Sequence, residues 1–77
     1  MSIGGDRVRV KFNPSANGTV DRIKCTTAEL IDICKREQDE LYASASPQQQ
    51  MEVGRLWSLA MTAYEEAAMW AVKAATA

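Results

Sequence analysis

The sequence contains no histidine, no glycine-rich phosphate loop and only two cysteines. The commonest general base and metal ligand is therefore missing. Cys25 and Cys34 would lie roughly 180° apart around one helix, since helical residues advance by about 100° each, so the two thiols cannot bridge. We interpret both as reduced thiols packed as small apolar groups, and we expect no metal and no cofactor.

Two possible catalytic features can be set aside. Glu65 and Glu66 are adjacent, so on a helix they diverge by roughly 100° and do not form a carboxylate pair. Lys35 beside Cys34 can lower the pKa of a thiol, but the sequence offers no base or orienting partner. We therefore predict that the protein is not an enzyme.

Long apolar runs are also absent. No stretch reaches the roughly 18 residues of a membrane span, and no signal peptide is recognisable, so we expect a cytosolic protein away from membranes. The net charge of −1 is unevenly distributed. Residues 1–24 carry five bases and two acids (5 − 2 = +3), and residues 25–77 carry four bases and eight acids (4 − 8 = −4). The basic end can attract phosphate, whereas the acidic remainder argues against binding long nucleic acid.

The chain of 77 residues forms one domain with little core. Below roughly 70–80 residues a single core rarely supplies more than about 3–5 kcal/mol, and disulfides, metals or partners supply the rest. Because disulfides and metals are disfavoured here, we predict that the chain assembles into a homo-oligomer.

Residues 7–12 alternate between basic and apolar side chains, which predicts a short β-strand. A lone strand leaves its backbone hydrogen bonds unsatisfied, and no second strand is recognisable. It either pairs with another copy or lies as an extended arm on its own helices, and the two are about equally favoured. A turn-rich loop follows, so residues 1–18 form an N-terminal strand or arm with its loop.

Residues 19–77 predict an antiparallel hairpin of two helices, so the fold class is mainly α. The first helix begins with Thr19 as its N-cap and runs to about Ala43. We interpret the charged stretch at residues 35–40 as a solvated helix face. Ser46 as N-cap and Pro47 at the first helical position predict a strong start for the second helix, which runs nearly to residue 77.

The second helix carries more apolar surface than one seam can bury. Gly54 costs a helix up to about 1 kcal/mol relative to Ala, and it either permits close approach of another backbone or is tolerated near the helix start. Trp57, Tyr64 and Met69 broaden an apolar stripe. The stripe comprises Val53, Leu56, Ala60, Ala63, Ala67, Trp70 and Ala74.

Binding chemistry is better represented than catalytic chemistry. A nucleotide pocket needs cations or hydroxyls for phosphate, an aromatic ring for stacking and an amide for base edges. Core packing is the favoured role of Phe12 on sequence alone. Lys24 and Thr26 would then be ordinary surface residues of the first helix. The candidate binding residues are Arg9, Lys11, Phe12, Asn13, Lys24, Thr26 and Thr27.

Two stretches resemble a family of helical hairpin proteins from phages. Residues 55–74, which contain Arg55, Met69-Trp70 and Lys73-Ala74, resemble the second helix of that family. Residues 20–26, with an Ile-Lys pair followed by a polar residue, resemble its first helix. The family comprises the Thoeris anti-defence and anti-CBASS cyclic-nucleotide sponges, and the start at residues 10–15 is more similar to the Thoeris branch. Relatives often carry a basic residue where Met61 stands.

This resemblance implies a function in the cytoplasm of the infected bacterial host. Members of the family are not enzymes; they assemble into helical homo-oligomers, typically hexamers. They sequester immune messengers intact, so that bacterial immune effectors are not activated. The messengers are cyclic ADP-ribose isomers in the Thoeris branch and cyclic di- and trinucleotides in the anti-CBASS branch.

The resemblance also implies site residues. At matching positions, Lys24 and Thr26 contact dinucleotide-type ligands between subunits, and Phe12 takes the place of the stacking aromatic. Arg55 matches an arginine that lines a second site, for cyclic trinucleotides. Residue chemistry adds Arg9, Lys11 and Asn13 to the first site.

Two alternatives remain open on sequence grounds. A helical oligomeric adaptor or inhibitor that acts by direct protein contact predicts an exposed apolar patch on the assembled oligomer. A structural assembly factor predicts self-association without any ligand. Replacement of Lys24 separates the sponge from both, because it should abolish messenger binding and leave assembly intact.

Overall fold

The computed structural model of the chain describes residues 18–77. It contains two helices, α1 at Gly18–Ser44 and α2 at Pro47–Ala75. They pack along each other as an antiparallel hairpin measuring 47 × 22 × 12 Å, which confirms the predicted helical hairpin. The predicted strand at residues 7–12, and with it Arg9, Lys11, Phe12 and Asn13, lies outside the described residues.

The start of α2 is capped as the sequence predicts. Ser46 is the N-cap in an extended conformation, and Pro47 follows in the first turn. The Ser46 hydroxyl accepts a hydrogen bond from the Gln49 backbone N–H at 3.3 Å, and the Gln49 side chain accepts one from the Ser46 N–H at 3.2 Å. This reciprocal capping box satisfies two backbone donors that the first turn would otherwise leave unpaired.

The start of α1 differs slightly from the prediction. The helix includes Gly18, so Thr19 lies inside the first turn and is not the N-cap. Helix ends commonly shift by one or two residues from the position that a capping preference suggests. Asp21 places a negative charge in this first turn, where it interacts favourably with the helix dipole.

The seam between the helices repeats every seven residues, as in a coiled coil. At its centre, Ile31 is completely buried and contacts Cys34 and Met61, with Trp57 and Ala60 packed against them. The remaining buried residues continue the same seam toward both ends. They are Val20, Thr27, Ala28 and Gln38 on α1, and Gly54 and Ala68 on α2.

Gln38 shows that the charged stretch at residues 35–40 is only partly a solvated face. Its side chain is buried, and its amide donates hydrogen bonds to the Gly54 carbonyl at 2.8 Å and the Ser58 hydroxyl at 2.9 Å. The reason is position, since Gln38 lies seven residues after Ile31 and falls on the seam. Around it, Lys35 and Asp39 form an ion pair of 2.8 Å at the surface.

The missing side chain of Gly54 makes room for the Tyr42 side chain of α1, and not for the backbone of another helix. A Cβ atom at this position would lie 2.8 Å from the Tyr42 hydroxyl oxygen, so the tyrosine ring tip lies across the glycine. Nearby, the Gln50 amide donates to the carbonyls of Tyr42 and Ala45, each at 3.1 Å. The turn end of the hairpin is therefore tied together by glutamine side chains that bridge the two helices.

The cysteines behave differently from each other. Both are free, as predicted, but only Cys34 is buried, whereas Cys25 is exposed. The expectation that both thiols are packed is therefore wrong for Cys25 in the single hairpin. Neither helix of the described chain has the length and hydropathy that a bilayer span requires.

The apolar stripe of α2 is mostly not the seam. We use the term apolar face for Val53, Leu56, Ala60, Ala63, Ala67, Trp70 and Ala74; all but Ala60 are exposed in the hairpin. Leu56 and Trp70 are each 56% exposed. In an antiparallel hairpin the same direction of rotation from the seam leads to the same side on both helices, which places Leu30 and Ile33 of α1 beside this face.

Candidate functional site

A shallow depression on α1 is lined by Thr26, one of the predicted site residues. It measures about 440 Å³ and is largely open to solvent. Its lining side chains recur at three- and four-residue spacing, so they share one face of the helix. Among the described residues, they are Thr19, Arg22, Ile23, Thr26 and Thr27.

The hydroxyl groups in this depression are not equivalent. The Thr27 hydroxyl donates a hydrogen bond of 2.6 Å to the Ile23 carbonyl within the helix, so its proton is already used. Thr26 is exposed, with its side chain toward the depression. Of these two, Thr26 is therefore the hydroxyl that can donate to a ligand oxygen without breaking a helix contact.

Lys24 does not line the depression that contains Thr26. Residues two apart on a helix project roughly 160° away from each other, since each step rotates by about 100°. Lys24 is half-buried beside the seam, on the other side of α1. One chain therefore does not bring these two predicted contacts together, and a small ligand that touched both would have to lie between copies.

Arg55 lies elsewhere on the hairpin. It is exposed and follows Gly54, whose carbonyl contacts Gln38 near the turn end. Thr26 precedes Gln38 by twelve residues on α1, which corresponds to roughly 18 Å along the helix at about 1.5 Å per residue. Arg55 and Thr26 of the same chain therefore belong to two separate places, as a second site requires.

Arg22 also lines the depression, although it is not among the site residues predicted from the sequence. It precedes Thr26 by four residues, so the two side chains lie on the same face one turn apart. The Ile-Lys pair selects Lys24 by sequence similarity, whereas four-residue helical spacing is the pattern that relates Arg22 to Thr26.

The residues considered for catalysis gain no support from the structure. Burial raises the pKa of the Cys34 thiol, which opposes any activation by Lys35 and keeps the sulfur protonated at neutral pH. Among residues 18–77, no three acidic or cysteine side chains lie close enough to hold a metal ion. What the described surface offers is a cation and hydroxyls suited to contact phosphate oxygens.

Comparison with known proteins identifies the family. A family model described as the Acb2/Tad1 hairpin domain matches residues 3–76, and this range contains both helices and the depression. No curated protein and no solved structure matches the chain. Assignment to the Thoeris branch stays a prediction. The chain belongs to the Acb2/Tad1 hairpin family, the phage cyclic-nucleotide sponges.

Proposed function

We propose that this protein is a phage anti-defence sponge that binds cyclic nucleotide messengers and holds them intact. Its homo-oligomer, a hexamer by family resemblance, lowers the free messenger concentration so that bacterial immune effectors are not activated. The single observation that carries this proposal is the family match over residues 3–76. The surface of the hairpin supports it in two places.

The first support is the depression around Thr26. Its volume of about 440 Å³ offers room for a small ligand, but the depression is largely open. A ligand would therefore remain mostly in water on a single hairpin. A second copy that covers the open side would desolvate the ligand and strengthen its contacts with phosphate. In this arrangement Lys24 of one copy and Thr26 of another contact the same messenger.

The second support is the apolar face of α2. All four charged residues between positions 53 and 74, namely Arg55, Glu65, Glu66 and Lys73, project roughly 90° or more from its centre. A helix side that faces only water rarely carries an apolar face of this length without a charge. The central alanines of the face permit close approach of another helix. We assign this face to contacts between copies.

The size of the face indicates that more than one helix takes part. From Val53 to Ala74 it is about 32 Å long and about 10 Å wide, roughly 300 Å², compared with about 800 Å² per partner in a stable interface. Leu30 and Ile33 on α1 enlarge the contact surface on the same side. A compact oligomer in which each hairpin meets several copies satisfies this requirement better than a dimer.

Sequestration needs no bond to be broken. A sponge acts by mass action, so its sites must be as numerous as the messenger molecules and must bind more tightly than the effector does. Cyclic ADP-ribose isomers are the favoured messengers because of the Thoeris-like N-terminal stretch. Cyclic di- and trinucleotides remain candidates, the latter at a second site that contains Arg55.

Native mass spectrometry of the purified protein with cyclic ADP-ribose isomers and cyclic di- and trinucleotides tests the proposal. We expect an oligomer that gains whole ligand masses and releases the same molecules unchanged on denaturation. Replacing Lys24 with Gln should abolish binding at the first site and leave the oligomer mass unchanged. An oligomer that ignores every compound would contradict the sponge.

A second candidate function rests on the same apolar face. If that face stays open in the oligomer, the protein is better explained as an adaptor or inhibitor that contacts a host protein. The oligomer distinguishes the two candidates, because Trp70 becomes shielded from a soluble quencher when the face is buried between copies. A quenching rate that does not depend on assembly would favour the adaptor.

A further inference from the structure

We propose that Arg22 is a phosphate-binding residue of the depression on α1. The resemblance directs attention to Lys24, and neither it nor the family match gives Arg22 a role. The inference rests on the proposed function, since it names a contact for the same class of ligand, a cyclic nucleotide that carries phosphate groups.

Position is the first argument. Arg22 follows Thr19 by three residues and precedes Thr26 by four, so all three side chains project from one side of α1. Lys24 projects from the opposite side and lines no part of this depression. Among the described residues of one chain, Arg22 is therefore the basic side chain that lines the same depression as Thr26.

The availability of the guanidinium group is the second argument. Arg22 is exposed, and no ion pair engages it within the part of the chain that the structure describes. Among the described basic residues, Lys35 is held by Asp39 and Lys73 lies over the Trp70 ring at 5.0 Å. Arg22 can therefore turn toward a ligand without giving up a contact between described residues.

The chemistry of the lining is the third argument. A guanidinium group can donate two parallel hydrogen bonds to one phosphate, a geometry that an ammonium group does not provide. Thr26 adds a hydroxyl donor one turn further along α1. Ile23 contributes half-buried apolar surface between them, on which a sugar or base can rest. Phosphate, hydroxyl and apolar contacts together fit a cyclic nucleotide better than a free inorganic anion.

The test compares Arg22→Gln with Arg36→Gln, the same substitution at an exposed arginine on α1 far from the depression. Each assembled protein is titrated calorimetrically with cyclic ADP-ribose, cyclic di-GMP and cyclic tri-AMP. For the compound that the unmodified protein binds, we expect Arg22→Gln to weaken binding about tenfold or more, as for the loss of a charged hydrogen bond. Arg36→Gln should bind as the unmodified protein does. The affinity of Arg22→Lys should fall between these two, because lysine keeps the positive charge and loses the paired hydrogen bonds of the guanidinium group.

A second measurement needs no variant. Phenylglyoxal modifies exposed arginines, and peptide mass mapping reports each position separately. Bound ligand should protect Arg22 at least severalfold and leave Arg36 fully reactive. Equal reactivity at Arg22 with and without bound ligand, or unchanged binding by Arg22→Gln, would overturn the role of Arg22 and leave the sponge intact. If the unmodified protein binds none of the three compounds and none of the other cyclic ADP-ribose isomers or cyclic di- and trinucleotides of the mass-spectrometry panel, both proposals are wrong.

Discussion

Two sides of α2 differ in burial, and the side with the smaller apolar residues is the buried one. The buried side contains a glycine, a methionine and an alanine at seven-residue spacing, Gly54, Met61 and Ala68. The side that carries the larger apolar residues, Leu56 and Trp70, is exposed. The α2 side of the seam is thus built from small or flexible residues, while the stronger hydrophobic pattern of α2 faces away from α1.

This difference indicates which contacts each side makes. Small residues in a seam let two helices approach closely. Among residues 18–77 Ile31 is the one fully buried large side chain, which is a modest core for a hairpin of this length. Within residues 18–77 the apolar face has no partner, which agrees with the proposal that other copies bury it. If copies bury this face as proposed, the stability of the hairpin is linked to assembly.

A charge placed on the apolar face should have the largest effect. Ala63→Glu introduces a carboxylate at an exposed position in the middle of the face. If this face is buried between copies, the charge must be desolvated without a partner, and assembly should be lost at micromolar concentration. Sedimentation velocity measures the change. The helices themselves should persist, because the side chain is solvated in the single hairpin.

The matched control is Ala43→Glu. It makes the same substitution at an exposed position of α1, away from Leu30 and Ile33. We expect its oligomer to sediment like the unmodified protein. If Ala63→Glu also left the oligomer intact, the apolar face would not be the interface, and the comparison between the two sides of α2 would lose its meaning.

Truncation on the buried side should have the next largest effect. Met61 is 3% exposed and contacts Ile31 and Cys34 at the centre of the seam. Met61→Ala leaves a cavity there and should lower the free energy of unfolding by about 2–5 kcal/mol, the usual range for such a truncation. Urea unfolding at several protein concentrations separates this loss from any change in association.

Leu56→Ala provides the contrast, because Leu56 is exposed in the hairpin. Its loss of stability should appear as a stronger dependence of the unfolding midpoint on protein concentration, since it weakens contacts between copies. If the two substitutions behaved alike at every concentration, the seam and the apolar face would not be energetically distinct.

The sequence predicts the hairpin well because its signals are local. Ser46 and Pro47 mark the start of α2, and the spacing of apolar residues marks both helices. The seam is less predictable, since it includes Gln38 and Gly54, which no hydrophobic pattern selects. Which apolar stripe packs inside a chain and which packs between chains depends on tertiary geometry that periodicity alone does not contain.

The candidate site is predictable only in part for a related reason. Lys24 and Thr26 are close in sequence, yet the helix turns them to different sides. Arg22 is no closer in sequence to Thr26 than Lys24 is, but the four-residue spacing places both at one depression. Residues that are neighbours in a sequence motif therefore need not lie on the same surface of the helix.

The buried polar contact in the seam should have a smaller effect than Met61. Gln38→Met keeps the length of the side chain and removes both hydrogen bonds, to the Gly54 carbonyl and the Ser58 hydroxyl. We expect a loss of about 1–2 kcal/mol by urea unfolding, because Met recovers part of the burial. Gln48→Met at the exposed start of α2 is the control and should change stability little. A stability equal to that of the unmodified protein would mean that Gln38 is merely tolerated.

The smallest expected effect belongs to the helix cap. Ser46→Ala removes the hydroxyl that accepts the Gln49 N–H, and the first turn of α2 loses one satisfied donor. Caps of this kind contribute about 1 kcal/mol, and thermal unfolding followed by circular dichroism can detect it. Ser44→Ala is the matched control, because the Ser44 hydroxyl only donates back to the Glu40 carbonyl inside α1, where Ala is the better helix former. The two alanine variants should therefore differ in thermal stability although they lie two residues apart.

Ser46 lies outside the apolar face, so Ser46→Ala should lower the unfolding midpoint equally at all protein concentrations. A shift that grew on dilution would place the turn in the interface between copies.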